Sequence, residues 1–223
     1  MKREIRITGD GSVTIHLPEW NEQYHSIHGA IAEAQHVFIK NGLHFYAAQN
    51  PGQPVSILEI GFGTGLNAFL TLLEAEKLSL SINYTGTEAY PVAPSEIVQL
   101  NYAENLNASA HHFNKLHEVP WETTSEIIKQ FNLTKQKLYF SEINVFKHYD
   151  LIYFDAFGAR VQPELWTEAI FQKMFDALKE NGVLVTYSAK GSVRRAMQAV
   201  GFTVERLPGP PGKREMLRAL KRD

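Results

Sequence analysis

The spacing of apolar residues changes repeatedly along this chain. Over residues 3–17, REIRITGDGSVTIHL, apolar and polar positions alternate on both sides of a Gly-Asp-Gly turn, which predicts a β-hairpin. Ile27, Ile31, Ala34 and Phe38 then recur at helical spacing, and Asn41-Gly42 predicts that helix's C-terminal stop. From Val55 onward strand-like and helical runs alternate. VSILEI and SINYTGTE read as strands, LNAFLTLLEAEK and APSEIVQLNYAEN as helices. WETTSEIIKQF reads as a helix, KLYFSEI and DLIYFDAF as strands, and PELWTEAIFQKMFDALKE as a helix with Pro163 in its first turn. GVLVTYS is a further strand, SVRRAMQAV a further helix, and FTVERL and KREMLRAL close the chain as a hairpin around LPGPPGK. This β/α alternation predicts an α/β fold with a mostly parallel, doubly wound sheet and an antiparallel C-terminal strand. Residues 1–50 read as a hairpin-and-helix extension packed on a core domain at 51–223, one globular unit whose length suffices for a sizeable core.

Composition narrows the chemistry. Cysteine is absent, which excludes disulfides, thiolate zinc sites, iron–sulfur clusters and a cysteine nucleophile. The polar start MKREIRITGDGS and the lack of any apolar run of about 18 residues predict a cytoplasmic protein with no membrane span. The histidines are scattered, and the adjacent pair His111-His112 does not face one ligand, so no metal is expected. Formal net charge is −2, yet from Tyr187 to Asp223 nine Lys/Arg stand against three acids. That excess reads either as a face for a polyanion or as a solvated surface.

In doubly wound sheets ligands lie beyond the carboxyl ends of the strands, and four predicted ends carry polar groups. The first is ILEIGFGTGLNAF, with glycines at 61, 63 and 65 and Leu66 where a dinucleotide fingerprint needs its third glycine. Glu59 precedes the loop, Phe62 and Thr64 lie within it, and Asn67 opens the helix. An acid ahead of the loop suits S-adenosylmethionine, which carries an amino-acid end and no phosphate, better than a dinucleotide. Glu88 ends the second strand, where a carboxylate can accept from both ribose hydroxyls. Glu142 and Ile143 end the expected third strand, placed for an adenine amino group and ring. The plainer alternative is that the glycines only pack a helix, that Glu88 is a helix cap and that Glu142 is a solvated acid. Asp155 ends the fourth strand with Phe157 two residues on. A carboxylate there can accept an amine N–H and orient its lone pair for methyl transfer, while the aromatic ring stacks on a planar base. Its alternative role is capping the next helix.

Across nearly its whole length the chain resembles the methyltransferases that complete 5-methylaminomethyl-2-thiouridine at the wobble position of transfer RNA. These are found alone or as the N-terminal half of the bifunctional protein MnmC. The matching pieces are YHSIHGAIAEAQHVFIKNGL, ILEIGFGTGLNAF, FSEIN, YFDAF, PELWTEAIFQKM, SVRRAMQAVGF and GKREML. The resemblance implies a Rossmann-like class I fold, S-adenosylmethionine as donor with neither metal nor flavin, and the aminomethyl nitrogen of uridine 34 as acceptor. It marks the loop Gly61, Phe62, Gly63, Thr64 and Gly65 with Asn67, Glu88 and Glu142 for the cofactor, and Asp155 for the acceptor amine. Lys213, Arg214 and Glu215 are placed near the substrate, while Glu33 and Tyr24-His25-Ser26 match the lead-in segment. The family's usual Asp-Gly-Phe-Ala-Pro is here Asp155-Ala156-Phe157-Gly158-Ala159, a loop without its proline, and Gly-Asp-Ile-Asn is Ser141-Glu142-Ile143-Asn144. The chain ends at Asp223 without a flavin-dependent half, so action only on an aminomethyl nucleoside made elsewhere is expected. Arg194, Arg195, Lys213, Arg214, Lys221 and Arg222 are candidates for anticodon stem-loop phosphates, and no partner protein is indicated. Two other readings are a polyamine synthase-like transferase, which would not need the basic closing segment, and an RNA-binding module with a degenerate cofactor site.

Overall fold

The computed structural model describes residues 2–222. The N-terminal strands β1 (Glu4–Ile7), β2 (Val13–Leu17) and β3 (Glu22–Gln23) form an antiparallel sheet in that order. Its turn is tied by Asp10, which accepts from Thr8 Oγ1 at 2.8 Å and Ser12 N at 3.1 Å, the local bonding that favours aspartate in turns. The other carboxylate oxygen accepts from Ala32 N at 2.9 Å. The hairpin turn therefore satisfies a free amide in the first turn of helix α1 (Ala30–Ala34).

That helix does not stop at Asn41-Gly42. It widens into a π-helix over Gln35–His44 and closes as α2 (Phe45–Gln49), and it starts later than expected, leaving Ile27 exposed. The glycine serves close packing: a Cβ on Gly42 would stand 3.0 Å from Val185 Cγ2 and 3.2 Å from Tyr153 Cε1. Asn41 turns its side chain back to donate to His36 O at 2.7 Å, satisfying a carbonyl in the widened turn.

The main sheet has eight strands. They are β4 (Val55–Ile60), β5 (Ile82–Thr87), β6 (Thr124–Ile128), β7 (Phe131–Gln136), β8 (Tyr149–Phe154), β9 (Leu178–Thr186), β10 (Thr203–Pro208) and β11 (Glu215–Leu220). Their spatial order is β10-β11-β9-β8-β4-β5-β7-β6. The centre is parallel, while β6, β11 and β10 pair antiparallel at the margins. After β4 the chain builds outward through β5 and β7, then returns to the other side of β4 with β8, so the switch point lies between β4 and β8. Alternate residues feed two cores. Ile57, Leu151 and Tyr153 face a core built with Phe38, Leu43, Phe69 in α3 (Leu66–Leu78) and Phe113 in α6 (Ala110–Glu118). Leu58, Ile152 and Phe154 face the opposite core with Phe171 and Met174 in α7 (Glu168–Ala177) and Val193 and Met197 in α8 (Gly191–Ala199).

Three expectations are corrected between residues 93 and 143. The expected helix after β5 is two short turns, α4 (Pro94–Ile97) and α5 (Tyr102–Asn105), and α6 follows them unforeseen. WETTSEIIKQF is the β6 hairpin arm running into β7, and KLYFSEI is a loop with a 3-10 turn at Phe140–Glu142. In β7 the inward positions are Phe131, Leu133 and Lys135. The lysine is buried because Nζ donates to His117 O, at the end of α6, at 2.6 Å and lies 5.1 Å from the Trp121 ring centroid. Burial brings it down to about 8.

Replacing Gly42 with valine pushes branched carbons into β8 and β9. Gly42→Val is expected to lower the unfolding free energy by about 2 kcal/mol, read from the urea midpoint. An unchanged midpoint would show that the helix does not need this approach.

Candidate active site

The ends of β4, β5 and β8 converge on one cavity of about 1400 Å³. The loop after β4 is shaped by its neighbours. Gly61 has φ +92° and a Cβ there would stand 2.8 Å from the Asp155 carbonyl oxygen, so only glycine lets the two strand ends close up. Gly63 has φ +49° and faces the Tyr24 ring, whose Cδ1 would be 3.1 Å from a Cβ. Phe62 covers Gly86 on β5 and meets Trp121 edge-on. Gly65 N donates to Phe62 O at 2.8 Å just ahead of α3. Thr64 Oγ1 accepts from Tyr102 OH at 3.2 Å and lies 3.4 Å from His25 Nε2. His25 Nδ1 contacts Thr14 Oγ1 at 3.2 Å, so an imidazole joins the N-terminal sheet to the glycine loop. Burial pushes His25 down to about 4, which keeps it neutral.

Carboxyl groups ring the cavity. Glu88 Oε2 accepts from Gly63 N at 3.1 Å and Oε1 from Tyr90 N at 2.9 Å, and burial raises its pKa. Glu59 is fully buried. Its Oε1 accepts from Asn67 Nδ2 at 2.9 Å, and the same nitrogen donates to Asp155 Oδ2 at 2.8 Å. Glu59 Oε2 and Asn67 Oδ1 have no hydrogen-bond partner among the described residues. Burial pushes Glu59 well above the carboxylate range. Asp155 is pushed up to about 7, first by burial and then by the Glu33 charge, against the Asn67 bond and the Lys213 charge. Phe157 meets Tyr24 edge-on at 5.0 Å and Trp20 at 5.8 Å. Its carbonyl accepts from Trp166 Nε1 at 2.8 Å.

Other expected residues lie elsewhere. Glu142 is exposed and turns back to accept from Tyr139 N at 2.7 Å, while Ile143 is buried in the α7 core. Neither lines the cavity, whose wall here is Tyr139, Phe140 and Ser141. The reason is local: without a strand at 137–143, the 3-10 turn folds Glu142 onto its own start. Lys213 lines the cavity; Arg214 is exposed beside it, and Glu215 faces Arg206 at 3.8 Å on the hairpin. Lys221 is not available to phosphates, because it is buried with Nζ donating to Phe175 O at 2.8 Å and Leu178 O at 2.9 Å. Arg218 bonds Glu205 at 2.8 Å and stacks on Phe45. Lys190, Arg194, Arg195 and Arg214 form no ion pair among the described residues. Sequence reasoning missed Trp20, Glu22 and Tyr187, all of which line the cavity. Tyr187 had a findable signal, since it follows β9 at the same end of the sheet as Glu88 and Asp155.

The profile of the S-adenosyl-L-methionine-dependent methyltransferases matches residues 101–222, more than half of the chain, including Asp155 and the closing hairpin. The chain belongs to that family. This methyltransferase is 26% identical over 96% of its length to the tRNA 5-methylaminomethyl-2-thiouridine biosynthesis bifunctional protein MnmC of Pseudoalteromonas atlantica, covering 33% of it. It is 27% identical over 88% of its length to the same-named protein of Hydrogenovibrio crunogenus, covering 31%. It therefore spans about a third of the curated relatives it matches. The crystal structure of MnmC2 from Aquifex aeolicus superimposes with a TM-score of 0.77 at 26% identity, covering 98% of this chain and 70% of that one. Spermidine synthase from Thermotoga maritima shares the fold at a TM-score of 0.58 and 16% identity, over 98% of this chain and 68% of that one. In sequence and in fold the methyltransferase is thus similar to proteins named MnmC. Among its described residues no helix is long and apolar enough to cross a membrane. Nor is any group of three or more His, Asp or Glu gathered there as metal ligands.

An acid with a raised pKa in the folded state binds its proton more tightly there than in the unfolded chain. Ionising Asp155 as pH climbs from its unfolded value through about 7 therefore removes stability. Asp155→Asn is expected to stabilise the fold by about 1–3 kcal/mol at about pH 8, and by less at about pH 5, measured by urea unfolding at both. Equal or lower stability at the higher pH would contradict a buried, ionisable Asp155.

Proposed function

We propose that this chain is the N-methyltransferase that converts 5-aminomethyl-2-thiouridine at wobble position 34 of transfer RNA to 5-methylaminomethyl-2-thiouridine, working in the cytoplasm. The observation that carries the reading is Asp155, an acid at the switch point whose carbonyl closes against Gly61 of the glycine loop and whose side chain lines the cavity beside Phe157 and Tyr24. The MnmC names of the relatives, 26% and 27% identical, support the substrate.

The donor set suits S-adenosylmethionine. Glu88 keeps lone pairs free on both oxygens for ribose hydroxyls after accepting its two backbone N–H bonds. Asn67 Oδ1, which has no partner among the described residues, is an acceptor for an ammonium group such as the donor's amino-acid end. At about 1400 Å³ the cavity exceeds the usual range of roughly 300–1,000 Å³ for one small ligand, leaving room for a nucleoside as well. Bound S-adenosylmethionine supplies a methyl group on a sulfonium centre, open to in-line attack. Asp155 then accepts a proton from the acceptor ammonium and orients the freed lone pair. Phe157, fixed edge-on by Trp20 and Tyr24, offers the uracil ring a face. Lys190, Arg194, Arg195 and Arg214 meet backbone phosphates beyond the cavity, which predicts weaker binding as salt rises.

The test is methyl transfer from labelled S-adenosylmethionine into transfer RNA from cells unable to complete this modification, followed by nucleoside analysis. Label is expected in 5-methylaminomethyl-2-thiouridine. Asp155→Ala is expected to cut that transfer about 100-fold or more while cofactor affinity, read by calorimetry, stays within about threefold. Transfer into small amines but not RNA would move the assignment to a polyamine-type transferase, and absent cofactor binding would favour a non-catalytic RNA-binding module.

A further inference from the structure

Lys213 and Glu33 meet across the cavity from opposite ends of the chain. Lys213 lies in the loop between β10 and β11, and its ammonium forms an ion pair with Glu33 Oε1 on α1. Glu33 is buried, and its second oxygen accepts from Ser26 N at 2.8 Å. The Lys213 ammonium also lies 4.0 Å from the centroid of the Tyr187 ring. Tyr187 OH donates to Ala156 O at 2.8 Å, on the residue after Asp155. Glu33, Asp155, Tyr187 and Lys213 all line the one cavity.

We propose that the Glu33–Lys213 pair is a positioning device for Asp155: Lys213 neutralises Glu33 so that Asp155 is free to carry the charge that draws a proton from a cationic amine. Charges in a partly desolvated cavity act over several ångströms, and two unbalanced carboxylates there oppose each other's ionisation. Every element around Asp155 contributes a group. Glu59 comes from β4, Asn67 from α3, Tyr84 from β5, Tyr187 from the end of β9, Glu33 from α1 and Lys213 from the β10–β11 loop. Glu22, on β3, acts on Tyr187. Among the charges acting on Asp155 itself, Glu33 raises its pKa and Lys213 lowers it. The device thus has two arms of opposite sign, one from each end of the chain. A pair that only tied the N-terminal extension to the closing hairpin would affect stability and leave the ionisation of Asp155 where it was.

This inference deepens the amine-methylation reading, and its test separates the two. The side-chain carboxyl of Asp155 is titrated by NMR on 13C-aspartate-labelled full-length protein, with the signal assigned by its loss in Asp155→Asn. No substrate is needed. Lys213→Met is expected to raise the titration midpoint by about one unit and Glu33→Gln to lower it by a similar amount. The double variant returns close to the parent, and Lys213→Arg leaves the midpoint in place. In methyl transfer the acidic limb of the pH–rate profile follows the same shifts. Midpoints that do not move, or that move the same way in both single variants, overturn the proposal. Should Lys213→Met fail to fold, Glu33→Gln decides alone, since its glutamine still accepts from Ser26 N and a midpoint that does not fall is fatal. Correct NMR shifts without transfer to RNA would discard the substrate and keep the device.

Discussion

Asn67 opens the first turn of α3 and gives its single amide nitrogen to two carboxyl groups at once, Glu59 at 2.9 Å and Asp155 at 2.8 Å. Those acids end adjacent parallel strands, β4 and β8, on either side of the switch point. Two carboxylates that close in a dry site do not both ionise without strong opposition. The Asn67 bond favours the charged form of both acids, and burial, the larger effect on each, opposes it. Glu59, fully buried, is driven toward its neutral form, while Asp155, open to the cavity, titrates near neutrality. The glycine loop depends on the same closeness, because the Asp155 carbonyl occupies the place where a side chain on Gly61 would sit. The ends of β4 and β8 are therefore one packing unit, and displacing either disturbs both.

The N-terminal extension completes this unit. Tyr24 lies on Gly63, His25 reaches Thr64, and Glu33 reaches the closing hairpin through Lys213. His36 Nε2 is 2.8 Å from Pro208 O, a second link between helix and hairpin. Arg160 adds another tie by donating to the carbonyls of Trp20 and Asn21 at 2.9 and 2.8 Å. The β8–α7 loop, which lacks proline at Ala159, is held from outside by that arginine. The first fifty residues thus wall the cavity through these polar contacts, while Val37, Phe38, Ile39 and Leu43 pack into the apolar core on the sheet.

Much of this was legible in the sequence where burial is two-sided. The runs of β4, β8 and β9 read as strands because both faces are apolar, and the glycines after β4 follow from the turn they must make. The outer pair β6 and β7 was misread for a definite reason. Ile127, Ile128 and Phe131 have helical spacing, and the period of two appears only when Lys135 is counted as an inward residue. A lysine whose charge is absorbed by a helix-end carbonyl and a tryptophan face hides the strand from any hydrophobic pattern. Gly42 misled in the opposite direction: the residue that usually ends a helix was needed for contact with the sheet. At the site, Glu88 and Asp155 were visible as acids beyond strand ends, whereas Tyr187 and Trp20 enter through tertiary folding of the two chain ends.

The basic C-terminal segment shows how charge counting misleads without geometry. Its residues divide by what their stems can cover. Lys221 and Arg218 lay their stems and charges on Phe175 and Phe45 and are bonded to fixed oxygens, so their charge is internal to the fold. Lys213 is absorbed by Glu33 inside the cavity. Arg206, Arg214 and Arg222 remain outward together with the set at the start of α8, and Lys190 stands on the cavity rim. An anion drawn to Lys190 would lie at the opening of the cavity that Asp155 lines. Net charge of −2 does not oppose this, because Lys190, Arg194 and Arg195 gather locally at the start of α8.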